Sequence, residues 1–260
     1  LIGKYYSGEF PDITNAYAWF TDKLQIVGPN AAPYTMPHLL DIDKDFESLV
    51  NSTIPEMGTG MSGLKVLVKE IDEDSIDVGS RLASAMADAK QYPGVPQLVL
   101  DNLTGEILNV VYENDKLYLK TLMSIHIDTC GETVETPLTI ESDGTRRIIE
   151  YMPLLYAVTR HDAVYIVDEV ERSIHPILIK DIINKLSKST DTKGQLIFTT
   201  HESALLDQDI FRPDEIWFAQ KDIDQATQLY PLSDFNIHKT ANIENGYLNG
   251  RYGGIPFLSN

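Results

Sequence analysis

Between residues 97 and 140 apolar and polar positions alternate, as in "QLVLDN", "ILNVVYENDKLYLKTLMSIHID" and "TVETPLTI". A period of two predicts antiparallel strands, and "ENDK" supplies turn residues between two of them. Upstream the pattern is mixed. "AYAWFTDKLQIV" has a helical beginning and an extended end, "GPNAAPYTMP" reads as a loop, and "HLLDIDKDFESLVNSTIPEM" spaces Leu39, Leu40, Phe46, Leu49 and Val50 as a helix does. "SGLKVLVKEID" predicts a strand and "SRLASAMADAKQ" a short helix. After residue 141 helices alternate with continuous apolar runs: "GTRRIIEYMPLLYAV", "AVYIVD", "PILIKDIINKLSKS", "GQLIFTT", "ESALLDQDI" and "EIWFAQKD". That alternation predicts a parallel sheet with crossover helices. Pro153 should kink or shorten the helix that contains it. The tail "ENGYLNGRYGGIPFLSN" reads as a packed loop or a disordered end. The expected class is α/β, divided into 1–96, with a mainly helical insertion, and 97–260, carrying the antiparallel strands and the parallel sheet.

Composition narrows the possible roles. The chain has 260 residues, 43% of them hydrophobic, enough for one large core with an inserted subdomain or two modest domains. With 39 acidic and 21 basic residues the formal charge is -18, which disfavours a general nucleic-acid coat and leaves DNA binding to a local basic patch. One cysteine, Cys130, excludes an internal disulfide framework and fits a reducing cytoplasm. No apolar stretch is long enough to span a membrane.

The apolar run "AVYIVDEVERSIHP" ends in Asp168, Glu169 and Glu171. In a parallel sheet ligands sit at the carboxyl ends of strands, and two acids there suit phosphate chemistry. One can hold a magnesium ion while the other orients or deprotonates a water. Acids that merely open a polar loop would look the same. The next run, "GQLIFTTHES", ends in Thr199, Thr200 and His201, so neighbouring strands would put an imidazole beside the acids. His201 could equally begin a capped helix. In "ESDGTRRIIEYMPLL", Ser142 and Asp143 are N-cap types, Gly144 permits close backbone approach, and the helix N-terminus with Arg146 and Arg147 suits an anion. A plain capped helix with two surface arginines is the alternative.

In this order the three stretches resemble the second half of an ABC-type ATPase domain. "SDGTRR" stands where the signature lies, "VYIVDE" looks like Walker B, "VERSIHP" like the D-loop and "IFTTHES" like the switch. The nearest resemblance is to the P-loop ATPases of bacterial defence, the abortive-infection and OLD-like group, which end much like "GYLNGRYGGIPFL". The resemblance is strong over 141–256 and weaker before 100. It implies ATP and Mg2+, with Asp168 holding the metal through water, Glu169 positioning the attacking water and His201 touching the γ-phosphate. It implies that Ser142, Asp143, Gly144, Thr145, Arg146 and Arg147 reach a nucleotide held by a second copy, across a seam lined by Glu171, Ser173 and His175. His175 also suits a purely structural role, since His-Pro starts a helix well. The implied partners are the chain itself, as a dimer or higher oligomer, and a nuclease effector.

One element of that pattern is absent: no G-x-x-x-x-G-K-[ST] occurs in residues 1–260. Without it no backbone cradle and lysine hold the β-phosphate. The expectation is therefore an ATPase whose phosphate loop lies on an upstream segment. The competing readings are a non-catalytic assembly or nucleotide-sensing module, and a metal-dependent nuclease using Asp168, Glu169 and Glu171 directly.

Overall fold

The computed structural model describes residues 11–28, 35–77, 79–101, 104–238 and 241–255. Most of the predicted loop 28–37 lies outside them, as does the last part of the tail. Seven α-helices and ten strands occur among these residues.

Helix α1 (Pro11–Ala18) widens into a π-type turn, Trp19–Lys23, and enters strand β1 (Leu24–Val27), as its helical beginning and extended end predict. The next helical stretch is two helices, α2 (Met36–Ile42) and α3 (Lys44–Thr53). Asp43 divides them because its carboxylate accepts the amides of Asp45 and Phe46, both at 3.0 Å, and so caps α3. Strand β2 (Gly63–Glu70) and helix α4 (Arg81–Gln91) follow as predicted.

Strands β3 (Gln97–Leu100), β4 (Ile107–Glu113), β5 (Lys116–Ile127) and β6 (Thr133–Pro137) are antiparallel. The β4–β5 turn is the predicted one, with Asn114 and Asp115 both at positive φ as a two-residue hairpin demands. This sheet runs β2-β5-β4-β3, so it takes a strand from either side of residue 96.

Helix α5 (Asp143–Arg160) passes through Pro153 without ending there, so the proline does not shorten it. Strand β7 (Val164–Val167), helix α6 (Pro176–Lys188) and strand β8 (Gln195–Phe198) complete a parallel sheet of order β1-β7-β8. The expected helix 202–210 is only a short 3-10 turn, Ser203–Leu205. Strand β9 (Trp217–Lys221) does not join the parallel sheet; it pairs antiparallel with β10 (Thr227–Pro231). Helix α7 (Ile243–Leu248) and Tyr252 pack on that hairpin, where Tyr230 donates to the Tyr252 carbonyl at 2.8 Å.

The main core joins α2, α3, α5, α6 and one face of the parallel sheet, through Leu40, Phe46, Val50, Ile149, Met152, Val167, Ile179 and Ile183. Val27, Leu196 and Phe198 pack against it from the same face. The carboxyl ends of β7 and β8 are thereby fixed side by side.

Candidate active site

Val167 pairs with Phe198, so the residues that follow each strand, Asp168 and Thr199, emerge as neighbours. Thr199 ties the two ends together. Its amide donates to the Val167 carbonyl at 2.9 Å and its hydroxyl to Asp168 Oδ1 at 2.6 Å. The same hydroxyl oxygen accepts the Glu169 amide at 2.9 Å. Glu169 needs that anchor: its φ is +51°, a left-handed conformation that costs a non-glycine residue roughly 1 kcal/mol. The Asp168 amide donates to the Val27 carbonyl at 3.0 Å, which holds the acid against β1 as well.

Glu171 has a different task. One oxygen accepts the Thr200 hydroxyl at 2.7 Å and the other accepts the His201 amide at 2.9 Å. The carboxylate thus fixes the backbone of His201, whose side chain is exposed. The structure therefore brings Asp168, Glu169, Glu171 and His201 together. Thr199 and Thr200 join them, and their place directly after an apolar strand is the signal in the sequence that could have marked them.

The helix of the signature-like stretch starts as its sequence predicts. Ser142 caps α5, its Oγ accepting the Thr145 amide at 3.1 Å and lying 2.9 Å from the Thr145 hydroxyl. Arg146 pairs with Asp143 at the exposed first turn. Arg147 does not accompany it. Its side chain is 7% exposed and lies over the Tyr151 ring, bonded to the Tyr151 hydroxyl at 3.2 Å and to Glu150 at 3.1 Å. An arginine expected at the anion-facing end of the helix is thus turned into the core, where it stabilises the aromatic ring beside it. Burial pushes the Tyr151 hydroxyl up from its ordinary value, and the Arg147 charge opposes that.

Gly144 is needed by the chain itself. A Cβ there would sit 2.9 Å from the Ser173 carbonyl oxygen, so the helix start and the 169–175 turn touch directly. Ser173 is left-handed, with φ +61°. His175 caps α6: Nδ1 accepts the Ile177 amide at 3.3 Å, ahead of Pro176 at the first helical position. That is the structural role its sequence context allows.

Metal binding can be tested against these donors. Among the described residues no group of three or more His, Cys, Asp or Glu side chains could cage an ion. Both Glu171 oxygens are already engaged. Asp168, exposed and with one oxygen held by Thr199, fits an ion that keeps most of its waters and binds through one carboxylate and a substrate phosphate, as magnesium does.

A mixed α/β fold with a parallel sheet and a separate antiparallel sheet is that of an AAA ATPase-like domain. Residues 33–207 match the family model described as "AAA domain, putative AbiEii toxin, Type IV TA system". The chain belongs to that family, an AAA-type P-loop ATPase group of abortive infection, whose activity depends on a nucleotide. No curated protein matches it. Among the described residues no helix is long and apolar enough to cross a membrane.

Proposed function

We propose that this chain supplies the water-activating and signature parts of an ATP-hydrolysing site shared between two copies, and that nucleotide-driven pairing controls a partner effector such as a nuclease in defence against phage. The observation that supports this is the Thr199 hydroxyl, which accepts the Glu169 amide and donates to Asp168, so that both acids are tied to the end of the strand that His201 follows. Magnesium, when bound with the triphosphate, offsets phosphate charge, and Asp168 would hold it through water. Glu169 orients the attacking water and accepts its proton; His201, its backbone fixed by Glu171, contacts the terminal phosphate. The exposed end of α5, with Ser142, Asp143 and Arg146, meets the phosphate bound by the other copy.

The test is Glu169→Gln in the polypeptide that also carries the phosphate loop. The amide keeps the shape and cannot take a proton, so ATP binding should persist while turnover falls by at least about 100-fold. Unchanged hydrolysis removes Glu169 from this role. Residues 1–260 alone should bind ATP weakly and hydrolyse none, since they hold no G-x-x-x-x-G-K-[ST]. Calorimetry with ATP and magnesium checks this. The second reading, a non-catalytic sensing module, rests on that same missing motif and predicts no turnover from any form of the protein.

A further inference from the structure

The ring of His201 is exposed, and among the described residues no hydrogen bond holds it, so its place follows from its backbone. On one side that backbone is fixed by Glu171, which accepts the His201 amide. On the other side the chain enters the Ser203–Leu205 turn. A 3-10 turn of this length gains too few hydrogen bonds to hold itself, so contacts from the rest of the fold decide where it lies. The Glu202 carboxylate accepts the Ala204 amide at 2.9 Å, and Leu205 is buried in the main core. The Ser203 hydroxyl reaches much further. It donates to Glu244 Oε1 at 3.0 Å, 41 residues along the chain, in the first turn of α7.

Helix α7 does not need Glu244 for its own start. Asn242 caps it, the side chain accepting the Asn245 amide at 2.8 Å. The other side of the helix is seated closely. Gly246 lies two residues on, about 200° round the helix. A Cβ there would sit 2.6 Å from the Tyr252 ring. Tyr252 is fixed in turn: its carbonyl accepts the Tyr230 hydroxyl, and the Phe218 ring stacks on those of Tyr247 and Tyr252 at 5.6 and 6.0 Å. The Gly254 amide donates to Gln220 Oε1 at 3.1 Å, and its carbonyl accepts the Tyr247 hydroxyl at 3.0 Å. Strands β9 and β10, α7 and residues 249–254 are therefore one unit, with a core of Ile216, Phe218, Leu232, Ile243 and Tyr252 distinct from the main one. The same unit grips the chain again at Gln208, whose side-chain amide donates to the Ala241 carbonyl at 2.9 Å.

We propose that this unit positions His201 for hydrolysis, and that Glu244 is the positioning residue through which it acts. Glu244 meets no substrate. By holding Ser203 it fixes the turn two residues beyond His201, so that a shift of the unit moves the imidazole relative to the strand end. His201 is thus set between two carboxylates, Glu171 on its own amide and Glu244 on the hydroxyl of Ser203. The proposal rests on the reading of His201 as the group that contacts the terminal phosphate. An acid in the first turn of a helix also favours that helix by its charge. That role concerns α7 and leaves the turn after His201 untouched, which separates the two by experiment.

The test uses the full-length protein. Without nucleotide, Glu244→Ala should quicken hydrogen exchange about tenfold at the Leu205 and Leu206 amides, which close the turn, and leave β9 and β10 unchanged. In steady-state hydrolysis, Ser203→Ala and Glu244→Ala should each lower kcat about tenfold with KM for ATP within about twofold of native. The double variant should be no worse than either single one, since both remove the same bond. Glu244→Gln keeps an acceptor oxygen and should retain at least about half of native kcat. If Glu244→Ala fails to fold, Ser203→Ala removes the bond from its other end and carries the test. Unchanged exchange at Leu205 and Leu206 overturns the proposal. So does native kcat in both alanine variants, additive losses in the double variant, or a loss that Glu244→Gln shares in full. A failure of the proposed function shows itself separately, as native protein without turnover or His201→Ala with native turnover. The exchange measurement uses no ATP and still decides whether the unit holds the turn.

Discussion

At the scale of single residues, the site depends on atoms that the sequence marks only by type. Gly144 looked like room for a ligand; in the fold that room is already taken by the Ser173 carbonyl. Gly144→Ala should therefore disturb the 169–175 turn before any nucleotide is present. A backbone oxygen cannot swing aside as a side chain can, so the expected loss is about 1–3 kcal/mol in a denaturant melt. Full stability in that variant would mean the two segments separate freely. Thr199 makes the complementary case. Thr199→Val keeps the volume but removes both the donor to Asp168 and the acceptor for the Glu169 amide. Water reaches these groups, so a stability loss near about 1 kcal/mol is expected, with turnover falling much further because Glu169 loses its anchor. Thr199→Ser should restore both, and failure of serine to do so would show that the methyl group, not the hydroxyl, matters.

At the scale of elements, helix α2 is joined to the antiparallel sheet by a buried cluster. Lys120 of β5 is 1% exposed, and its Nζ lies 2.8 Å from Asp41, 3.2 Å from Glu113 and 3.2 Å from His38 Nδ1. Burial, then the Lys120 charge, lowers the His38 pKa from its ordinary 6.5, against the opposing pull of Glu113 and Asp41. A histidine lowered in the folded state is protonated more readily when unfolded. Its contribution to stability is thus present above pH 6.5 and is lost as the pH falls through the folded value. His38→Gln should flatten the stability profile just below pH 6.5, read by urea unfolding at a series of pH values. An unchanged slope would assign it to other groups. This contact was invisible in the sequence because its partners are 82 residues apart. Strands β7 and β8 were legible as plain apolar runs with an abrupt polar end, although β8 lies at the edge of the described sheet and alternates exposed with half-buried residues. The expected helix over 202–210 was not. Asp207 pairs with Lys180 and accepts the Asp209 amide, so local side-chain bonds compete with the helix. Strand β9 was placed in the wrong sheet, although its exposed Trp217, buried Phe218 and exposed Ala219 show the alternation of a half-covered antiparallel strand.

At the scale of the whole molecule, copies carrying a formal charge of -18 repel one another, so pairing needs a local attraction that outweighs the general field. The proposed shared site provides one, in the positive end of α5 facing a phosphate of the other copy. Mixed copies test it. Gly144→Asp is a poor reporter, because the Ser173 carbonyl of its own chain already forbids a side chain there. Arg146→Glu serves better: it reverses charge at the exposed first turn of α5, where the native guanidinium pairs with Asp143, and circular dichroism can verify its fold. The second variant is Glu169→Gln, and both belong in the polypeptide that carries the phosphate loop. Each pure variant should fail to hydrolyse ATP. If a site takes its helix end from one copy and its Glu169 from the other, a mixed pair concentrates both defects in one site and leaves the opposite site whole. Mixing equal amounts then yields mixed pairs as about half of all pairs, each with one working site of two, so roughly a quarter of native activity should return. If each copy builds its own site, every site stays defective and mixing restores nothing. Absence of recovery, with mixed pairs confirmed by differently tagged copies, would leave the start of α5 as a capped helix with no phosphate to meet.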